Sequence, residues 1–141
     1  MRNKFVSLKA LALLVIFCLT GSLSRAAVNP KPFVVPELKQ WTGKDGNFTP
    51  GKDTRIVCTS QNPELLRIAK MFADAYRQMF GQTLSVVQGK AASGDFVLAL
   101  STDKKLGEEG YAIKITDRVA ASAPTTTGLY WSTRTLLQLA E

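Results

Sequence analysis

From Gly107 to Leu139 the chain reads GEEGYAIKITDRVAASAPTTTGLYWSTRTLLQL, and the spacing of its apolar residues changes once, from every second position to every third or fourth. That single change predicts a turn, two tightly linked strands and a helix. Gly107 and Gly110 bracket Glu108-Glu109 in the turn. Tyr111, Ile113 and Ile115 alternate with Ala112, Lys114 and Thr116, as on a strand with one face on a core. Asp117-Arg118 marks a reversal, and Val119 to Ala123 returns as a strand of small residues. After Pro124 a threonine of the Thr125-Thr126-Thr127 run caps a helix. Leu129, Tyr130, Leu136, Leu137 and Ala140 share one side of it. No Gly or Asn closes this helix before Glu141, so the chain is expected to be the front part of something longer.

A second helix is marked more fully. Asn62 suits its N-cap, Pro63 its first position, Glu64 its positive end and Gly81 its stop. Arg67, Lys70, Asp74, Arg77 and Gln78 form one polar stripe. Leu65, Leu66, Ile68, Met71, Phe72, Tyr76, Met79 and Phe80 fill most of the remaining circumference, an apolar surface wide enough for two partners. Strands are expected at Glu37–Thr42, Thr54–Ser60, Leu84–Gln88 and Asp95–Ser101, the last apolar on both faces and therefore central. Phe48-Thr49 resumes briefly between two turns, and Pro30, Pro32 and Pro36 make residues 27–36 an extended lead-in. Residues 37–141 then form one α+β domain, with a mostly antiparallel sheet carrying both helices on one face.

Residues 1–26 read as a secretory signal: Arg2, Lys4 and Lys9, the apolar run Ala10–Leu19, then small residues at Ser24-Arg25-Ala26. A periplasmic or secreted protein follows, with no membrane attachment after cleavage. The net charge of +7 falls to +3 once Arg2, Lys4, Lys9 and Arg25 leave, and the remaining basic residues are dispersed among acidic ones. A nucleic-acid partner loses its main support. Cys58 alone survives processing and is safest buried, since an oxidising compartment exposes free thiols to reaction. The chain contains no histidine, which removes Ser-His-Asp, Cys-His and His-ligated metal sites together.

Other motifs fail on spacing. Gly89-Lys90 lacks the glycine pattern of a phosphate loop. Asp95, Asp103, Asp117 and Glu108-Glu109 each fall at a strand edge or turn, where acidic residues serve solubility or turn geometry. Asn47-Phe48-Thr49 is formally a glycosylation acceptor. Trp41, Tyr111 and Tyr130 lie at core-facing spacings, leaving Trp131 off its helix's apolar stripe. No catalytic, cofactor-binding or metal-binding residue is expected.

Gly107-Glu108-Glu109-Gly110-Tyr111, then Gly128-Leu129 and Thr135-Leu136-Leu137-Gln138-Leu139, resemble the end of the N-terminal domain of family 20 glycoside hydrolases, the β-N-acetylhexosaminidases. Val35-Pro36 and the helix Asn62–Gly81 fit the same plan. Ser132 stands where glycine is frequent and Arg134 where glutamine is common, both expected at the helix surface. The resemblance implies a zincin-like α/β sandwich without metal, its helices packed on a (β/α)8 catalytic barrel of the same longer chain. It implies that the barrel removes terminal β-linked N-acetylglucosamine or N-acetylgalactosamine, with the substrate's own acetamido group as nucleophile. Those catalytic groups would lie after Glu141, so this chain alone is expected to be inactive. The alternatives are a free-standing periplasmic glycan-binding module and a small independent hydrolase.

Overall fold

The computed structural model describes residues 28–141; the signal expected at residues 1–26 lies outside them. Five strands form one sheet: β1 (Arg55–Cys58), β2 (Ser85–Gln88), β3 (Phe96–Leu100), β4 (Ala112–Ile115) and β5 (Val119–Ala123). Helix α1 (Pro63–Phe80) follows β1, helix α2 (Thr126–Leu139) follows β5, and a short 3-10 turn spans Lys104–Leu106. The strands lie in the order β2-β1-β3-β5-β4. The α+β class with both helices over one sheet is as expected, but the strand directions are not. β1 runs parallel to β2 and to β3, and β3 parallel to β5; only β4–β5 is antiparallel.

The reason is in the connections. A hairpin link forces an antiparallel pair, and only Asp117-Arg118 is such a link. Helix α1 is a crossover that returns the chain to start β2 alongside β1. Gly89 to Asp95 then carries the chain past β1 to its other edge, where β3 starts in the same sense. The strand expected at Glu37–Thr42 is absent, and Phe48-Thr49 is not a strand either; residues 28–53 run as loop and turn. They are held by side chains instead: the Trp41 indole N–H donates to Asn29 O at 3.2 Å, and Asn29 Nδ2 donates to Gly46 O at 2.6 Å.

Both helix caps are made as the sequence dictates. Asn62 Oδ1 accepts from the Glu64 and Leu65 amides at 2.9 and 3.2 Å, and Gly81 ends α1 at φ 73°, where an L side chain would be strained. The core lies between helices and sheet. Ile56, Cys58, Phe96, Leu98, Val119, Ala121 and Ala123 face Leu65, Ile68, Phe72, Tyr76, Leu129, Leu136 and Leu137. Phe72 and Phe96 meet edge to face at 5.3 Å, and Phe48 closes on Phe96 at 5.4 Å, so the loop residue Phe48 completes an aromatic cluster. Val57 and Val97 point the other way by strand alternation and are also buried, which makes β1 and β3 apolar on both faces. Cys58 is fully buried, and that burial pushes its thiol pKa up.

The expectation that α1 carries enough apolar surface for two partners holds only in part. The sheet and α2 bury Leu65, Ile68, Phe72 and Tyr76 and half-cover Leu66, Met71 and Phe80, leaving Met79 exposed. Among the described residues no helix is long and apolar enough to cross a membrane.

Candidate functional site

Four of the residues that carry the family resemblance, Gly110, Tyr111, Gly128 and Thr135, meet at one place. The turn after Leu106 delivers Gly110 against the first turn of α2, where the Gly110 carbonyl oxygen lies so close to Gly128 that a Cβ there would stand 2.5 Å from it. The same Cβ would stand 2.9 Å from that of Ala123. Gly110 is itself closed in, since a Cβ on it would lie 1.8 Å from Leu106 O. The two glycines are therefore there for close backbone approach. Around them, Thr125 Oγ1 accepts the Gly128 amide at 3.0 Å and donates to Glu108 O, so one side chain caps the helix and fastens the turn. One residue on, the Tyr111 hydroxyl meets Thr135 Oγ1 at 2.6 Å, and Thr135 is buried. Turn, strand β4 and helix α2 are thus clasped by four signature positions.

Helix α2 buries more polar residues than its sequence suggests. Ser132, expected at the surface, is fully buried, and its hydroxyl donates to Leu129 O at 2.6 Å; Thr133 donates to Tyr130 O at 2.7 Å. A short hydroxyl satisfied by the preceding turn of its own helix enters a core at little cost. That small polar strip lets the helix sit close, and counting only aliphatic residues misses it. Arg134 lies over the Tyr130 ring at 5.0 Å, and its Nε and Nη2 are buried without a hydrogen-bond partner. Trp131 meets Tyr130 edge to face at 5.2 Å and is 43% exposed, off the buried stripe as expected.

The acidic candidates are scattered among separate structural duties. Asp103 accepts the Lys105 amide at 3.1 Å and opens the 3-10 turn. Asp117 pairs with Arg118 at 3.2 Å beside the β4–β5 reversal, which holds its carboxyl below the usual carboxylate range. Glu108 and Glu109 are exposed in the turn. Asp95 departs from the expected solvated edge, for it is 2% exposed. Its carboxylate accepts from Arg55 Nε and Nη2 at 3.1 and 2.5 Å and from the Ala92 amide at 2.8 Å. The Arg55 guanidinium lowers the Asp95 pKa against the opposing effect of burial, and Asp95 in turn raises that of Arg55. This ion pair pins the Gly89–Asp95 connection to β1, and nothing local in the sequence pairs residues forty positions apart. Among the described residues no three His, Cys, Asp or Glu side chains gather closely enough to hold a metal ion.

Among the described residues, two surface hollows lie near the candidate residues. One of about 330 Å³ lies between the first turns of the helices, floored by Ile68, Met71 and Tyr130 and rimmed by Glu64, Arg67, Thr126 and Thr127. The Arg67–Glu64 pair, 2.5 Å apart, closes one side of it. The other hollow lies in the lead-in, beside Phe33. Neither brings together two carboxylates or a nucleophile with a base.

Residues 31–141 match the family model described as glycosyl hydrolase family 20, domain 2. Among solved structures the chain is similar to the Streptomyces plicatus N-acetyl-beta-hexosaminidase in complex with Thio-NAglucal, at 27% identity and a TM-score of 0.52. That similarity covers 60% of this chain and 17% of the Streptomyces one, so the chain spans a minor share of the length of the enzyme it matches. No curated protein matches it. With the clasp residues and the family match over most of its length in agreement, the chain belongs to glycosyl hydrolase family 20, in which it corresponds to domain 2.

Proposed function

We propose that residues 37–141 are the non-catalytic supporting domain of a secreted β-N-acetylhexosaminidase, whose (β/α)8 catalytic domain belongs to the same longer chain. The observation that carries this reading is the clasp: the residues on which the resemblance rests, Gly110, Tyr111, Gly128 and Thr135, spend their polar and steric features on one another. The match to domain 2, and the similarity to one part of a much longer hexosaminidase, support the same division of labour. Trp131, Tyr130 and the hollow between the helices supply an apolar surface for the catalytic domain to cover, at about 25 cal/mol for each Å² taken from water. The whole enzyme would hydrolyse terminal β-linked N-acetylglucosamine or N-acetylgalactosamine with retention. The acetamido group of the substrate acts as the nucleophile in that scheme, an exception to the two-carboxylate rule. The basic and apolar N-terminal segment supports export.

The test is turnover of a fluorogenic β-N-acetylglucosaminide. The 141-residue chain should release no fluorophore above buffer, and the enzyme extended through its catalytic domain should release it steadily. Release by the short chain alone would overturn the reading. A second reading, a glycan-binding surface, draws on the exposed Trp131 ring beside Tyr130. Saturable quenching of Trp131 by chitooligosaccharides, lost in Trp131→Ala, would favour it, and a flat titration would exclude it.

A further inference from the structure

The most exposed large apolar side chain among the described residues is not on a helix. Phe33 is 91% exposed and Val35 66%, with Val34 between them 2% exposed. This is the alternation of an extended segment that turns one edge inward and holds the other out. The segment is not loose at that point. The side-chain amide of Gln138, in the last turn of α2, clamps it twice: the Val35 amide donates to Gln138 Oε1 at 2.8 Å, and Gln138 Nε2 donates to Val35 O at 2.9 Å. A hollow of about 360 Å³ opens beside Phe33, bordered by the Lys31–Glu37 ion pair at 2.6 Å.

We infer that Phe33 and Val35 form a docking strip for the stretch of chain that leaves α2 in the longer enzyme, the linker running toward the catalytic domain. The inference rests on the proposed function, which requires such a stretch. The clamp places it: Glu141 is three residues past Gln138, so about 11 Å of chain plus the Gln138 side chain and its hydrogen bond put the start of that stretch within roughly 18 Å of Val35. The covering segment carries apolar side chains, one of which fills the hollow beside Phe33. A second copy of this chain is the poorer occupant. Pairing by strand addition needs free backbone groups, and both those of Val35 are already taken by Gln138.

Maleimide labelling of Phe33→Cys tests this in chains that begin at residue 27, where Cys18 is gone and the buried Cys58 contributes little background. The substitution removes a side chain that is almost wholly in water, so folding should be unaffected. Labelling should be fast in the chain of residues 27–141 and slower by about tenfold or more in the extended enzyme. Equal rates in the two proteins would overturn the inference. Trp131→Cys separates the failures: if it is protected in the extended enzyme while Phe33→Cys is not, the domains dock but the strip is uncovered. If neither is protected, the supporting-domain reading fails as well. Protection of Phe33→Cys that grows with concentration of the short chain would assign the strip to a second copy and reject the linker.

Discussion

Substituting Gly128 with alanine tests the clasp at its tightest point. The added methyl carbon would stand 2.5 Å from the Gly110 carbonyl oxygen and 2.9 Å from the Ala123 methyl, and neither neighbour is a flexible side chain. Either the turn or the helix must back away, a form of overpacking that costs about 1 to 3 kcal/mol. Alanine returns up to about 1 kcal/mol, because glycine is the poorer helix former. Because both neighbours are rigid the clash falls in the upper part of that range, about 2 to 3 kcal/mol, and the net loss is roughly 1 to 2 kcal/mol, or a Tm lower by about 4 to 8 °C for a domain of this size. Thermal melts followed by circular dichroism read it directly. Gly51→Ala is the control: its Cβ meets nothing within 4 Å and its φ is ordinary, so its stability should change by less than about 0.5 kcal/mol. A Gly128→Ala protein as stable as wild type would refute the close approach on which the clasp depends.

Tyr111→Phe leaves the buried Thr135 hydroxyl without its partner and should cost about 1 to 2 kcal/mol in urea unfolding; added to Thr135→Val, it should cost much less than the two singles together. Asn62→Ala removes the acceptor for two amides of α1 and should cost about 1 kcal/mol, read as a lower urea midpoint with an unchanged slope. Asp95→Asn tests the ion pair through pH. The pKa of Asp95 is lowered in the folded state, so its contribution is complete above the unfolded carboxylate value near ~4 and is lost as pH falls through the folded value. Wild type should therefore lose more stability than Asp95→Asn on acidification from neutral pH to below ~4, and parallel pH curves would reject the role given to the pair. Cys58 should resist a neutral thiol reagent until denaturant is added, and labelling of the native protein would contradict its burial.

Local chemistry was the part most legible in the sequence. Asn62 and Gly81 bound α1 because capping depends on residues within a few positions of one another, and Asp117-Arg118 turns the one real hairpin for the same reason. The parallel strands were hidden, since direction depends on which edge a connection reaches, and Gly89 to Asp95 carries no mark of passing beneath or beside β1. The Asp95–Arg55 pair was hidden likewise, because each residue alone reads as a solvated edge charge. The resemblance located Gly110, Gly128, Tyr111 and Thr135 without giving their purpose. Only the three-dimensional arrangement makes them partners: a carbonyl against a bare Cα, and one hydroxyl against another. Burial of Ser132 and Thr133 followed from hydrogen bonds within the helix, which an apolar count does not register.

Steady-state kinetics of Tyr111→Phe and Gly128→Ala in the proposed longer enzyme would decide whether the clasp supports or catalyses. At a temperature well below either variant's Tm, kcat and KM should stay within about twofold of wild type, while the melting of the enzyme shifts downward. A fall in kcat of about a hundredfold with melting unchanged would place these residues in the chemistry and contradict the role assigned to the domain.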